Sequence, residues 1–205
     1  MKGLFITFEG CEGSGKSTQI NLFKNYLEKN KIEYLFVREP GSTDISEKIR
    51  SIILDVSNDK MSDYAEALLY AASRAQLISE KILPALNSGK LVICDRYIDS
   101  SFAYQAYARG LGYDYISKIN SYAIENCMPD KTIFLNISSK DAFSRKGGAD
   151  KDDRLEQSGA KFHEEVYNGY IELSKKFPER FIMIDCLGEK LQTHQKIVNA
   201  LKDLI

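Results

Sequence analysis

The chain has 205 residues, of which 43% are hydrophobic and 28% are charged, and its formal net charge is −1. This length predicts one domain over residues 1–205 with a single sizeable core, and the near-neutral charge excludes a general attraction to nucleic acid or to an anionic membrane. Because no apolar run approaches the roughly 18 residues that span a bilayer, and no signal peptide is recognisable, we expect a cytoplasmic protein without nucleic-acid or membrane partners.

Short apolar runs alternate with longer segments of helical periodicity, which indicates a parallel sheet covered by helices on both faces. Strands are predicted at residues 4–9, 34–38, 91–95, 132–136 and 181–185. Helices are predicted at residues 18–29, 44–54, 62–87, 101–108, 113–126, 140–145, 160–176 and 189–204, with a kink near Pro84. The pattern predicts an α/β fold of three layers around a doubly wound, five-stranded parallel sheet.

The first predicted strand runs into the sequence Gly-Cys-Glu-Gly-Ser-Gly-Lys-Ser-Thr, which fits the phosphate-loop pattern G-x-x-x-x-G-K-[ST]. Its glycines let the backbone wrap around phosphate oxygens, towards which the next helix directs the positive end of its dipole. Lys16 is expected to reach the β- and γ-phosphates, and the Ser17 hydroxyl to bind Mg²⁺. An ordinary glycine turn is the alternative. The predicted loop residues are Gly10, Cys11, Glu12, Gly13, Ser14, Gly15, Lys16, Ser17 and Thr18.

The third predicted strand ends in Asp95 and is followed by Arg96. In a phosphate-loop protein, an aspartate at this place is the expected second partner of Mg²⁺, and we predict that Asp95 reaches the metal through water. The fork of donors on Arg96 suits a second, acceptor phosphate. Since hydrolytic phosphate-loop enzymes often carry a glutamate after this aspartate, the arginine favours transfer to another phosphate over hydrolysis.

Further candidates follow the second strand and lie on the third helix. Arg38 ends the strand and is predicted to be a second clamp on the acceptor phosphate, although an ion pair with Glu39 or a contact with a helix dipole is the alternative. Tyr70 and Arg74 are four residues apart on one helix face. They could stack on a base and donate to its carbonyl, or the tyrosine could belong to the core.

The segment from Asp95 to Gln105, Asp-Arg-Tyr-Ile-Asp-Ser-Ser-Phe-Ala-Tyr-Gln, with Arg-Gly-Leu-Gly at 109–112, resembles the thymidylate kinase family closely. The resemblance extends over nearly the whole chain, through Arg-Glu-Pro-Gly at 38–41, Tyr-Ala-Ala-Ser-Arg at 70–74, Asp-Arg-Leu-Glu at 153–156 and the region 162–170. It implies a nucleoside monophosphate kinase fold, transfer of the γ-phosphoryl group of ATP to dTMP with Mg²⁺ as cofactor, ATP binding by the phosphate loop, and a homodimer.

The resemblance also implies individual roles. Tyr70 would stack on thymine and Arg74 would donate to its carbonyl, while Ser101 and Gln105 would face the base. Those last two residues could instead simply cap or pair along their helix. Tyr104 would lie under the sugar, where a ribose 2′-hydroxyl would have to fit. Glu12 would lie near the 3′-hydroxyl, on the acceptor side.

Residues 146–153 are rich in glycine and charge and lack apolar anchors, so we expect this segment to be mobile. A plain surface loop is one interpretation, but an arginine flanks the segment on each side and favours a closing lid at about 145–156. The phosphate loop holds no arginine, and in this respect the chain resembles the bacterial type of the family, in which the lid supplies the transition-state arginine. The chain departs from that type at residues 146–148, where relatives often carry further arginines. The cation could therefore be Arg145, Lys151 or Arg154. Arg154 could instead be a hinge paired with Glu156.

Three other functions are weaker. A deoxynucleoside kinase would need a carboxylate to accept a hydroxyl proton, and here Arg38 and Arg96 supply anion clamps. A GTP-switch protein would carry its guanine-reading N-K-x-D later than the imperfect match at residues 30–33. An inactive nucleotide sensor would not be expected to retain Lys16, Ser17 and Asp95.

Overall fold

The computed structural model describes residues 3–146 and 153–205. Its strands form one sheet in which all neighbours are parallel, in the order β2-β3-β1-β4-β5. The strands are β1 Phe5–Glu9, β2 Tyr34–Arg38, β3 Leu91–Asp95, β4 Lys131–Asn136 and β5 Phe181–Asp185. The chain starts at the central strand and builds outward on both sides, which confirms the predicted α/β, doubly wound fold.

Helices flank the sheet. They are α1 Lys16–Lys29, α2 Asp44–Leu54, α3 Asp63–Leu77, α4 Leu83–Asn87, α5 Ile98–Ser101, α6 Tyr113–Ile119, α7 Ser121–Asn126, α8 Ser139–Lys146, α9 Ala160–Lys176 and α10 Lys190–Leu201. Two π-helical segments, Ile78–Ile82 and Phe102–Ala108, and a 3₁₀ turn at Glu156–Ser158 complete the regular structure of the described ranges. No described helix is long and apolar enough to cross a membrane.

Two predicted helices are interrupted. The helix expected at 62–87 passes through the π-helical segment Ile78–Ile82 just before Pro84, which lies in the first turn of α4. Proline has no N–H to donate, and a widened turn before it lets the helix continue. The helix expected at 113–126 divides at Asn120, whose amide nitrogen donates to Ile116 O (2.9 Å) and whose amide oxygen accepts from Arg74 (2.6 Å). These side-chain bonds compete with the helical ones.

The register of the sheet places polar residues together at one edge. Asp95 of β3 is paired with Phe8 of β1 on one side and with Arg38 of β2 on the other. The carboxyl ends of three neighbouring strands therefore meet where β1 leads into the phosphate loop, which is the edge at which open α/β sheets bind ligands.

Helix α9 closes over the segment Phe102–Ala108 at unusually short range. A Cβ atom added to Gly169 would lie 3.1 Å from Ala103 Cα, closer than most real Cβ contacts, so a larger residue would require the neighbouring segment to shift by a few tenths of an ångström. The contact fixes the segment that carries Tyr104 and Gln105 against the body of the protein.

Candidate active site

A cavity of about 260 Å³ opens at this edge of the sheet. It brings together most of the predicted acceptor-side residues, from elements far apart in the sequence. Predicted residues that line it are Glu12, Lys16, Arg38, Tyr70, Arg74, Asp95, Arg96, Ser101, Tyr104 and Gln105. Arg50 and Asp153 also line it and were not predicted.

The phosphate loop has the backbone expected of an anion-binding turn. Gly13 and Gly15 have φ values of 79° and 87°, in the left-handed region that favours glycine, and Gly15 immediately precedes α1. At the start of α1, Lys16 Nζ lies 2.8 Å from Asp95 Oδ1. The hydroxyl of Ser14 is buried and has no hydrogen-bond partner among the described residues. Since buried polar groups are normally paired, this hydroxyl and the helix amides suit phosphate oxygens.

The donors at this loop also fit Mg²⁺. Ser17 is exposed in the first turn of α1, and Asp95 ends the neighbouring strand β3. In the described part of the chain, no group of three or more His, Cys, Asp or Glu side chains could hold a metal ion. Magnesium in phosphotransfer sites takes one or two protein oxygens and completes its shell with phosphates and water, and a serine hydroxyl with a nearby carboxylate meets that need.

Arg96 is held in a strained backbone conformation with its guanidinium turned towards the loop. Its φ is 65°, a value that costs a non-glycine residue about 1 kcal/mol or more. Its Nη2 donates to the Glu12 carboxylate and its Nη1 to Ser100 Oγ and Tyr170 OH (both 3.3 Å). Its guanidinium also lies 5.2 Å from the ring centre of Tyr104. Such strain persists only where several contacts enforce it, and it is typical of functional positions.

Glu9, which was not predicted, organises the segment after β3. Its fully buried carboxylate accepts hydrogen bonds from Tyr97 N (2.8 Å), Ser100 Oγ (2.7 Å) and Tyr170 OH (2.7 Å). Burial, and next the nearby Asp99, raises the pKa of Glu9 to about 6. Its only sequence signal is an acidic residue at the end of an otherwise apolar strand.

Arg38 and Arg50 form the second basic group of the cavity. Arg38 Nη2 donates to both carboxylate oxygens of Glu47 (2.9 Å each), so its ion-pair partner is Glu47 and not Glu39. Arg38 and Arg50 each donate a hydrogen bond from Nη1 to Pro40 O, at 3.0 Å in both cases. Burial, followed by the charge of Arg38, lowers the pKa of Arg50. The sequence signal that could have identified Arg50 is its position one turn after Glu47 on α2.

Arg74 is buried in the wall of the cavity and is already bound to protein. Its Nε donates to Glu39 Oε2 (2.8 Å), its Nη1 to Asn120 Oδ1 (2.6 Å) and its Nη2 to Tyr97 O (3.2 Å). Burial raises the pKa of Glu39 to about 7 even though Arg74 opposes the shift. Arg74 therefore ties β2, α3 and the segment after β3 together, whatever it contributes to a ligand.

Two hydroxyl groups in the cavity wall lack partners. Ser101 Oγ and Tyr104 OH are buried, and neither has a hydrogen-bond partner within residues 3–146 and 153–205. Both residues line the cavity beside Tyr70 and Gln105. Because an unpaired buried hydroxyl costs about 1–3 kcal/mol, this wall is suited to a polar ligand that supplies the missing bonds.

The predicted lid is described only at its ends. Arg145 is exposed on α8, whereas Arg154 Nη2 donates to Glu66 Oε2 (2.6 Å) and its Nε to Ile53 O (3.0 Å). Neither arginine lines the cavity as described. Lys151 and residues 147–150 lie outside the described residues, so their predicted roles stay predictions.

Comparison with known proteins agrees with this geometry. The family model described as "Thymidylate kinase" matches residues 8–197. The thymidylate kinase of Thermoanaerobacter sp. (strain X514) is 47% identical to this chain, and the alignment covers 98% of each protein. That of Caldanaerobacter subterraneus subsp. tengcongensis is also 47% identical, and the alignment covers 100% of this chain and 98% of the relative. The crystal structure of thymidylate kinase from Ehrlichia chaffeensis is similar with a TM-score of 0.79 and 29% identity, covering 98% of this chain and 100% of that one.

Proposed function

This chain belongs to the thymidylate kinase family, and we propose that it binds ATP at the phosphate loop and dTMP in the adjoining cavity. It is an ATP-dependent nucleoside monophosphate kinase, which transfers the γ-phosphoryl group of ATP to dTMP and forms dTDP and ADP. The observation that carries the assignment of the two sites is a single cavity that holds Lys16, two arginine groups and two unpaired hydroxyls.

Arg38 and Arg96 bind the phosphate of dTMP from two sides of the cavity. Both present guanidinium groups at the edge where β2 and β3 end, and a guanidinium matches the geometry of phosphate oxygens. Tyr70, Ser101 and Gln105 contact the base, Arg74 reaches its carbonyl, and Tyr104 faces the sugar. Glu12 lies beside the sugar and the acceptor phosphate, held there by Arg96.

The transfer depends on positioning and charge neutralisation. The acceptor phosphate is already an anion, so no side chain needs to act as a strong base. Lys16 and the amides at the start of α1 hold the donor phosphates, and Asp95 fixes the Lys16 ammonium at that place. Mg²⁺, bound by Ser17 and through water by Asp95, would supply further neutralisation of the phosphate charge.

The ends of the lid support a closing motion over residues 145–156. Arg154 is fixed to α2 and α3 through Ile53 and Glu66, which gives the segment a firm attachment at one end. Arg145 at the other end is exposed, as expected of a cation that reaches the phosphates only when both nucleotides are bound.

A homodimer is supported by an apolar surface on α2 and α3. Ile45 and Ile52 lie seven residues apart on one face of α2, Tyr64 and Leu68 lie four apart on α3, and all four are about half exposed or more. Large exposed apolar groups on two adjacent helices are typical of a protein interface. The occupant we propose is the same surface of a second copy, related by a two-fold axis.

An ADP-release assay tests the acceptor site. With dTMP, dUMP, dCMP, dGMP and thymidine compared, dTMP should be preferred, and thymidine should be inactive because it offers no phosphate to the arginines. Arg96→Ala and Arg38→Ala should each raise KM for dTMP about tenfold or more and KM for ATP little, while the exposed Lys29→Ala leaves both unchanged. Equal losses for the two nucleotides would mean that the clamps are wrongly assigned.

A further inference from the structure

Glu66 is a buried carboxylate that the proposed reaction does not use. It lies on α3, one turn before Tyr70, and its exposed fraction is 0%. Three side chains converge on it: Gln105 Nε2 at 2.9 Å from Oε1, Arg109 Nη2 at 3.2 Å from Oε2 and Arg154 Nη2 at 2.6 Å from Oε2. The two arginines offset the cost of burying its charge.

The carboxylate dictates which way the Gln105 amide points. An ionised carboxylate only accepts hydrogen bonds, so it must take the amide nitrogen of Gln105 and not the oxygen. Gln105 is itself buried and lines the cavity, and no residue in the described ranges donates to its Oε1. The wall of the cavity therefore presents an amide oxygen, which accepts a hydrogen bond from a ligand.

We propose that Glu66 sets the pyrimidine specificity of this enzyme by holding the Gln105 amide so that its oxygen accepts the N3–H of thymine; the inference rests on the base site proposed above. Thymine carries a hydrogen at N3, whereas cytosine presents a lone pair there. An unrestrained glutamine could turn over and serve either base. With the nitrogen side taken by Glu66, the oxygen meets the cytosine lone pair, and this repulsion rejects the wrong base.

Glu66 also joins the base site to the lid. Besides Glu66, Arg154 binds Ile53 O through Nε (3.0 Å), and its own N–H donates to Leu54 O (3.2 Å). A change at Glu66 can therefore act in two separable ways. Loss of the Gln105 contact alters discrimination between bases, whereas loss of the Arg154 contact alters kcat with all bases alike.

The test is the ratio of kcat/KM for dTMP to kcat/KM for dCMP in four variants. Glu66→Gln gives Gln105 a partner that can both donate and accept, and it should lower the ratio about tenfold or more. Gln105→Met keeps the packing and removes the amide, and it should lower the ratio similarly. In the double variant the two losses should not add, because Glu66 acts through Gln105.

Asp63→Asn is the matched control. Asp63 lies one turn earlier on α3 and pairs with Arg109 at 3.3 Å, and the Asp63→Asn variant should have the same ratio as the wild type.

Glu66→Asp covers the case in which Glu66→Gln does not fold. Aspartate keeps the charge for both arginines and withdraws the carboxylate from Gln105, so the ratio should fall as it does in Glu66→Gln. A folded Glu66 variant with the wild-type ratio, an unchanged ratio in Gln105→Met, or additive losses in the double variant would each overturn the inference. A wild type that uses dTMP and dCMP equally would instead contradict the proposed base site, before any variant is compared.

Discussion

Lys16 is the residue on which we expect phosphoryl transfer to depend most directly. Lys16→Ala should lower kcat at least 100-fold, because an ammonium that neutralises developing charge in a site shielded from water contributes several kcal/mol. The fold should persist, since Lys16 lines the cavity and, among the described residues, its ion pair is with Asp95.

The measurement is kcat together with the melting temperature. Lys29→Ala, at the exposed end of the same helix, is the control and should match the wild type in both. Substantial turnover by a folded Lys16→Ala variant would contradict the role assigned to this lysine.

We expect Tyr104 to exclude a ribose 2′-hydroxyl, because we propose that it faces the sugar of dTMP. The residue is 6% exposed, and its ring packs between the Arg96 guanidinium, 5.2 Å from the ring centre, and Phe162, whose ring centre is 6.0 Å away. Tyr104→Ala opens space beside the sugar and should relax the rejection of the ribonucleotide that carries the same base as dTMP. The ratio of its kcat/KM to that of dTMP should rise about tenfold or more.

Tyr104→Phe keeps the ring and should keep the ratio, which separates the shape of the residue from its hydroxyl. Tyr107→Ala, on the same segment with a partly exposed ring, controls for general loosening. If the ratio of the two nucleotides does not move in Tyr104→Ala, the ring does not face the 2′ position.

At the scale of elements, the arginines at the two ends of the proposed lid differ in their contacts, and this difference can separate a catalytic role from an anchoring one. Arg145→Ala removes an exposed side chain, so it should lower kcat strongly and leave KM for ATP and the melting temperature unchanged. Arg154→Ala removes a partner of the buried Glu66, so it should also lower the melting temperature by several degrees.

Measuring kcat for Arg145→Ala, Lys151→Ala and Arg154→Ala separately identifies the transition-state cation. Lys140→Ala, an exposed change on α8, is the control. Turnover close to wild type in all three variants would exclude a catalytic cation from these lid positions.

At the scale of the whole molecule, the apolar surface on α2 and α3 predicts a dimer of 23.2 kDa chains. Leu68→Asp places a charge in the proposed interface, where it would be buried without a partner, and should convert the dimer to a monomer. Light scattering coupled to gel filtration measures the mass.

Leu204→Asp makes the same change at a comparably exposed leucine near the end of the chain and should leave the dimer intact. A wild type that elutes as a monomer at micromolar concentration, or a Leu68→Asp variant that stays dimeric, would contradict this interface.

The sequence by itself determined the elements of the sheet and the phosphate loop. The predicted strands at 34–38, 91–95 and 181–185 coincide with β2, β3 and β5, because a buried parallel strand is a short continuous apolar run bounded by turn residues. The loop was recognisable because its glycines, lysine and serine are adjacent in the chain. Arg38, Tyr70, Arg74 and Arg96 could be named from short local motifs, whereas Ser101, Tyr104 and Gln105 were named from the resemblance to the family.

Only the tertiary structure decided which side chains bind one another. Glu39 follows Arg38 directly, yet it pairs with Arg74, 35 residues away, and Arg38 takes Glu47 instead. Glu66 binds Gln105 and Arg154 across separations of 39 and 88 residues, and no local pattern indicates either contact. Both π-helical segments were likewise invisible to helical periodicity. These contacts share one physical reason. Local propensities specify an element, whereas the partner of a buried charge is set by the packing that brings distant elements together.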